Sequence, residues 1–432
     1  MAINRKIFEK LKKQANDRKI SLLIGARQVG KTTLLKELFN QLSIKDKCLF
    51  LDLDILSNYE KVSNFESLLN LIKLNGYEES QKRVFYLFLD EFQKYPSLVK
   101  VMKNAYDNLV NVKIYASGSS SLTIKNQVQE SLAGRKIINE LFPLSFEEFL
   151  IFKKEENLAK NLKNINKLKG DNLSSSLKEY RKFLDEFMIF GGYPEAVLKN
   201  SKEEKIQVIA GIFDLYVKKD LVEYLNIDKI LNVKRLIEFL AVNNGQKIKY
   251  EEISKVASLG FLDVKKYIEI LKETYLIEVI RPFYKNKNKE LIKIPKIYFI
   301  DNGVRNYFIN NFNQIRLRDD GGFLFEGVVL SELIKAGTRN IKFWNDKNLE
   351  EVDFVLEQDG DIIPIEIKLK EDLKSNDFSG LNNFLGSYTQ VKEAYLVNLT
   401  HQKKEKKISL ILPYLIGEEF RPSKGSHNTL LS

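Results

Sequence analysis

The run Gly25-Ala26-Arg27-Gln28-Val29-Gly30-Lys31-Thr32 fits the pattern GxxxxGK[ST], and its flanks narrow the fold at once. Ile20-Ser21-Leu22-Leu23-Ile24 before it reads as a buried strand, and the residues from Thr33 to Phe39 read as a helix leaving it. Glycines between strand and helix let backbone N–H groups wrap an anion at a helix N-terminus. Lys31 adds a point charge for the β- and γ-phosphates, and the Thr32 hydroxyl is placed to ligate Mg²⁺. Arg27, Gln28, Val29 and Thr33 complete the expected nucleotide-binding set. A chain built this way is expected to bind a nucleoside triphosphate.

A second motif belongs with the first. Val84-Phe85-Tyr86-Leu87-Phe88-Leu89 is a near-continuous apolar run, the pattern of a central parallel strand covered on both faces. It ends in Asp90-Glu91, and carboxylates at that end of a strand face the ligand crevice of an open α/β sheet. Asp90 is expected in the Mg²⁺ shell and Glu91 as general base for the attacking water. The next strand, Val112 to Ala116, runs into Ser117-Gly118-Ser119-Ser120-Ser121. Ser119 and its neighbours are either a sensor of the γ-phosphate or a plain serine-rich turn. Arg135 is either a finger that stabilises transition-state charge across a subunit boundary or a member of a structural ion pair.

Length and composition bound the rest. At 432 residues the chain exceeds one ordinary core, so two or three domains are expected. One cysteine, Cys48, and two histidines, His401 and His427, leave no basis for a disulfide framework or a histidine metal site. No apolar run approaches the ~20 residues of a membrane span, and the first residues lack the apolar centre of a signal peptide, so a cytoplasmic protein is expected. The net charge of +11 is uneven: residues 1–320 carry +14 and residues 321–432 carry −3. A basic body suits a polyanion, and a lysine-rich bias would look the same.

Residues 151–185 read as a polar insertion or linker, with Ser174-Ser175-Ser176 and many Asn and Lys. Ile206, Ile209, Ile212, Phe213 and Tyr216 then recur at helical spacing in a bundle over roughly 178–245. Residues 247–300 read as two helices, Tyr250 to Ser258 and Asp263 to about Tyr275, followed by a basic wing. Arg281, Lys285, Lys287, Lys289, Lys293 and Lys296 are interleaved there with Phe283 and Tyr284, a loop that either tracks a phosphate backbone or is an ordinary hairpin tip. Further on, Gly327 to Lys335 is helical and two strands form a hairpin around Gln358-Asp359-Gly360. Strand alternation puts Glu366 and Lys368 on one face, where Asp353 can meet Glu366 across the strands. Glu326 on the preceding helix is a further carboxylate in reach. Residues after Leu415 read as a loose tail.

Taken together these pieces resemble a family of prokaryotic AAA-type ATPases with a C-terminal region of unknown function. The resemblance rests on Arg27-Gln28-Val29, Leu89-Asp90-Glu91-Phe92-Gln93, Gly118-Ser119-Ser120, Ala133-Gly134-Arg135 and the run from Pro143 to Phe149. Gly191-Gly192-Tyr193-Pro194, the run from Tyr298 to Arg305, and Glu351 to Val355 extend it over nearly the whole chain. It implies adenine rather than guanine, with ATP and Mg²⁺ as cofactors. It also implies an α/β fold: an AAA-type parallel-sheet core at 1–150, a polar insertion and helical bundle at 151–245 and a winged helix at 246–300. A small restriction-endonuclease-like α/β domain at 301–415 and a tail at 416–432 would follow. In that light Asp353, Glu366, Lys368 and Glu326 become a candidate Mg²⁺-dependent nuclease site. Comparable proteins carry an aromatic-Arg pair before the Asp-bearing strand, where this chain has Trp344-Asn345.

Two outputs remain open on the sequence. One is nucleic-acid binding or processing, driven by nucleotide state; the other is an ATP-switched protein-binding or remodelling factor whose nuclease-like domain is inactive. Ring, dimer and monomer are equally compatible with it, and no membrane partner is expected.

Overall fold

Five strands line up in parallel in the first part of the chain: β1 Ile20–Gly25, β2 Lys47–Asp52, β3 Phe85–Asp90, β4 Val112–Ser119 and β5 Lys136–Leu141. Their spatial order is β2-β3-β4-β1-β5. Every residue of β1, β3 and β4 is buried, and β3 accordingly reads as a continuous apolar run rather than an alternating one. On one face Leu22, Leu51, Leu87, Leu89, Ile114 and Ala116 form a core under the helices Phe65–Leu74 and Leu98–Asn108. On the other, Phe39 of the helix Lys31–Leu42 packs edge-on against Phe50 and Phe88, and Phe88 stacks on Tyr115 at 5.1 Å. The register pairs Asp52 with Asp90 and Gly25 with Ser119, so the carboxyl ends of the strands form one edge.

This computed structural model describes all residues except 1–4, 81, 120–127, 129, 169, 217–228, 285, 287, 289, 291–292, 348–349, 359, 401–402 and 423–432. Of the sequence expectations, Ser120, Ser121, Lys285, Lys287, Lys289 and the final ten residues lie outside the described set. Within it, the chain divides into two compact units. Residues up to Pro143 with Glu273–Tyr275 form the first; Leu144–Lys272 and the chain from Leu276 form the second.

In the second unit, the segment read as a polar linker is helical. The 21-residue helix Gly170–Phe190 runs through the serines and buries Tyr180, Phe183, Leu184, Phe187 and Met188. Its polar first turns hid an apolar stripe that begins only at Tyr180. The helices Tyr250–Ala257 and Phe261–Glu273 follow, the second starting two residues ahead of Asp263. The strands β6 Ile277–Pro282 and β7 Lys296–Phe299 pair antiparallel. They do not stand alone. β6 pairs in parallel with β8 Lys342–Asn345, which continues through β9 Glu351–Gln358, β10 Asp361–Ile367, β11 Ala394–Val397, β13 Ile408–Ile411 and β12 Lys403–Glu405 into an eight-stranded sheet. The stretch read as a tail contributes a short helix, Ile416–Glu419, with Phe420 buried. No helix among the described residues is long and apolar enough to cross a membrane.

Asp301 is the joint of this unit. Its carboxylate caps the helix Asn302–Phe308 by accepting from Val304 N at 3.1 Å, and it accepts from Gly192 N at 2.7 Å. A Cβ at Gly191 would lie 2.0 Å from Asp301, and one at Gly303 would lie 2.1 Å from the Phe190 carbonyl, so only glycine fits either place. Asn306 donates to the Met188 and Ile189 carbonyls at the end of the helix Gly170–Phe190, and buried Arg305 reaches Ala241 O and Asp320. The Gly-Gly-Tyr-Pro and Asp-Asn-Gly motifs thus lock four segments together.

One buried cation gives the first unit a pH signature. Lys113 on β4 is 1% exposed, donates to Ser21 Oγ at 2.8 Å and to the Lys19 carbonyl, and is pushed by burial down to about 8. The same amine titrates near ~10.4 when unfolded. The folded state therefore carries the full cost of the buried charge below about pH 8 and loses it as the pH rises toward ~10. Urea midpoints of wild type and Lys113→Met, compared between about pH 7 and about pH 9.5, should shift in favour of wild type by ~2 kcal/mol.

Candidate functional site: a phosphate loop at the sheet edge

The loop between β1 and the helix Lys31–Leu42 is shaped by two glycines for two different reasons. A Cβ on Gly25 would sit 2.1 Å from the Leu141 carbonyl of β5, so the backbone can pass only without a side chain. Gly30 precedes the helix at φ +96, a left-handed conformation costly for any other residue. Lys31 is buried and curls back over the loop, its Nζ donating to Gly25 O at 3.1 Å and Ala26 O at 2.6 Å. Val29 is buried, Arg27 is half-buried, and Gln28 and Thr33 are exposed.

Next to the loop, Asp90 is buried at the end of β3. Its carboxylate accepts from the hydroxyls of Ser117 and Thr32, and burial raises its pKa against those two bonds. One carboxylate thus joins β3, β4 and the first turn of the helix, with hard oxygen atoms facing the loop. Glu91 follows in a left-handed conformation, φ 58, and its carboxylate is held by the Gln93 amide at 2.5 Å. The other end of that amide, Oε1, is buried with no hydrogen-bond partner among the described residues and occupies the space above Gly118. Ser119 is buried at the tip of β4 opposite Gly25.

Arg135 is elsewhere. Its carbonyl accepts from Ile20 N at the start of β1, the edge opposite the loop, and its guanidinium pairs with Asp107 at 2.7 and 3.2 Å. It is therefore no part of this chain's own nucleotide site, because six residues of β1 separate the two edges.

The second unit gathers the other expected residues. Asp353 accepts from Ile367 N at 2.8 Å, and Lys368 pairs with Glu366 at 2.5 Å, so the two strand faces meet as the alternation predicts. Glu326 accepts from Tyr298 OH at 2.8 Å and is pushed up to about 8 by burial and then by the charge of Asp353. Burial also raises Asp353 and Glu366. Lys296 of β7 lies among these acids and pairs with Glu351. Among the described residues no three His, Cys, Asp or Glu side chains are grouped to cage a metal ion.

Part of the segment read as a basic wing is turned inward. Lys296 is buried and ion-paired, Glu290 is buried against Lys342 at 2.8 Å, and Phe283 belongs to the core with Trp344, Phe384 and Tyr388. Of the expected cations only Arg281 and Lys293 keep exposed surface among the described residues. Sequence reasoning gave no role to Arg5, Gln93 or Tyr298, did not pair Ser117 with Asp90, and put Lys296 in the wing rather than among the acids. Ser117 carried a signal, since it stands one register step beyond the Leu89–Ala116 pair, but strand pairing is not written in a single strand.

Comparison with known proteins agrees with the loop geometry. Residues 17–150 match the family described as an AAA domain, so the first unit is a P-loop domain of AAA type. Residues 181–315 and 321–415 each match a domain of unknown function (DUF8612 and DUF4143). The chain is 29% identical over 349 residues to the uncharacterized protein MJ1544 of Methanocaldococcus jannaschii, covering 78% of this chain and 72% of that one. It is 24% identical over 388 residues to an uncharacterized Haemophilus influenzae protein, covering 86% and 88%. Among solved structures, the Walker-type ATPase PABY2304 of Pyrococcus abyssi is 14% identical at a TM-score of 0.46, over 71% of this chain and 96% of that one. The Aeropyrum pernix ORC1 protein in complex with DNA is 12% identical at a TM-score of 0.31, over 72% and 93%.

The Gly25–Leu141 contact yields a test. Gly25→Ala should cost ~1–3 kcal/mol because the clash is with backbone rather than a movable side chain. Denaturant unfolding should show the loss, and titration with a fluorescent ATP analogue should show weakened binding.

Proposed function

We propose that this chain binds and hydrolyses ATP at the Gly25–Thr32 loop and uses the nucleotide state to control its second unit. The observation that carries the reading is Asp90, buried between the Thr32 and Ser117 hydroxyls beside a glycine loop. Those oxygens are the hard donors a magnesium ion selects, and they fit it. Thr32 and Asp90 would hold the ion, which when bound neutralises charge on the β- and γ-phosphates. Lys31 leaves the Gly25 and Ala26 carbonyls for the same phosphates. Glu91 accepts a proton from the attacking water while the Gln93 amide keeps its carboxylate oriented. Ser119, at the strand tip opposite Gly25, would serve as the sensor of the terminal phosphate. A finger role for Arg135 would act on a neighbouring subunit and would first have to release Asp107.

The helices Tyr250–Ala257 and Phe261–Glu273 with the β6–β7 hairpin support a winged-helix reading, and β8 to β11 with the helix Gly321–Lys335 support a restriction-endonuclease-like one. A nucleic acid is the target this reading favours, met through exposed Lys249, Lys265 and Lys266 and through Arg281 and Lys293. A second reading is supported by a specific observation. Lys296 and Lys368 already compensate Glu351 and Glu366, so the second unit would bind a protein client without cleaving anything.

Steady-state ATP turnover decides the first point. Lys31→Ala should abolish binding, whereas Glu91→Gln should bind normally and turn over ~10²–10⁴-fold more slowly. Equal turnover in wild type and Lys31→Ala would reject the reading. For the second unit, incubation with duplex and single-stranded DNA and Mg²⁺ separates the outputs. Cleavage lost in Asp353→Ala supports nucleic-acid processing, and intact ATPase without cleavage supports the binding factor.

A further inference from the structure

Arg5 is the residue just before the helix Lys6–Lys13, and its side chain is 7% exposed. Its Nη1 donates to the Val29 carbonyl at 2.9 Å, and its Nη2 donates to the Phe142 carbonyl at 2.8 Å. The guanidinium has a firm base. Its own carbonyl accepts from Phe8 N, while Phe8 and Leu11 are buried. The Leu11 carbonyl accepts from Tyr115 OH at 2.9 Å, and Gln14 binds Asn139 and Ser21.

Val29 O and Gly30 N–H belong to the same peptide unit. In a trans peptide the two point in opposite directions, and the plane is rigid. A guanidinium that holds the Val29 carbonyl outward therefore aims the Gly30 N–H inward, where a phosphate oxygen would lie. Gly30 follows that peptide at φ +96, and glycine in particular leaves the plane free to rotate unless something fixes it. Arg5 is placed to do so.

We propose that Arg5 is a positioning residue for the phosphate loop: it sets the orientation of the Val29–Gly30 peptide and ties it to Phe142. The second bond carries the same constraint to the residue before Pro143, where the first unit ends. The proposal rests on reading Gly25–Thr32 as the phosphate loop. Arg5 touches no phosphate itself; it acts through Gly30.

The test is titration of ADP and ATP against wild type, Arg5→Ala and Arg5→Lys, with and without methylguanidinium in the tens of millimolar. Loss of a charge-assisted bond to the loop should weaken both nucleotides roughly 10-fold in Arg5→Ala. Arg5→Lys, a point donor that reaches one carbonyl, should fall between. Methylguanidinium should recover most of the Arg5→Ala loss, which repair of a merely destabilised fold would not do. Affinities within twofold of wild type in both variants would overturn the proposal. So would a loss in Arg5→Ala that methylguanidinium leaves untouched, provided that variant melts as wild type does. If folded wild type binds neither nucleotide, the phosphate-loop reading itself has failed, and this proposal goes with it.

Discussion

The Asp90 carboxylate is the contact on which the nucleotide edge depends. By accepting from Ser117 and Thr32 it draws the end of β3, the end of β4 and the first turn of the helix after the loop into one assembly. A buried carboxylate is costly unless its oxygens are satisfied, so these two hydroxyls are as necessary as the acid. Once they are set, the neighbouring positions have little freedom. Glu91 must turn through a left-handed conformation to leave the strand, and Gln93 must fold back over Gly118 to meet it. The site is therefore a consequence of strand order: only with β4 between β3 and β1 do Asp90, Ser117 and the loop share an edge.

The second unit is built around a different kind of constraint, close approach of backbone to a buried acid. Asp301, Gly191, Gly192 and Gly303 fit together because glycines leave the space that the carboxylate and the Phe190 carbonyl fill. Arg305 and Asn306 then satisfy carbonyls at the ends of two helices. The helix Gly321–Lys335 gives this unit its reach. Glu326 near one end lies with Tyr298 and Asp353, while Glu332 and Lys335 near the other bind Phe146 N and Leu144 O. The chain that follows Pro143 is thus held by the same helix that carries a carboxylate of the second cluster.

Much of this was legible in the sequence, and the misses share a cause. The phosphate loop, the strand ending in Asp90-Glu91 and the meeting of Asp353 with Glu366 are short-range patterns, readable from spacing and alternation. Arg5 acts across 24 residues on Val29 and across 137 on Phe142, and a lone arginine before a basic helix carries no mark of that. Lys296 looked like one more cation in a basic loop, because burial beside Glu351 is a property of the sheet and not of the segment. The helix Gly170–Phe190 was hidden by composition, since its first turns are polar and its apolar face starts late. Glycine motifs were visible from the first, but their purpose required knowing which carboxylate they made room for.

The posture of Lys31 has one more consequence. Its amine already has two carbonyl partners in the loop, at Gly25 and Ala26. Capturing an anion is then an exchange of partners, and the newcomer gains only the difference. A single small anion offers little beyond what those carbonyls provide, whereas a chain of linked phosphates also engages the loop amides and the helix end. Under the function proposed above, the lysine would act as an internal competitor that a bound phosphate chain has to displace.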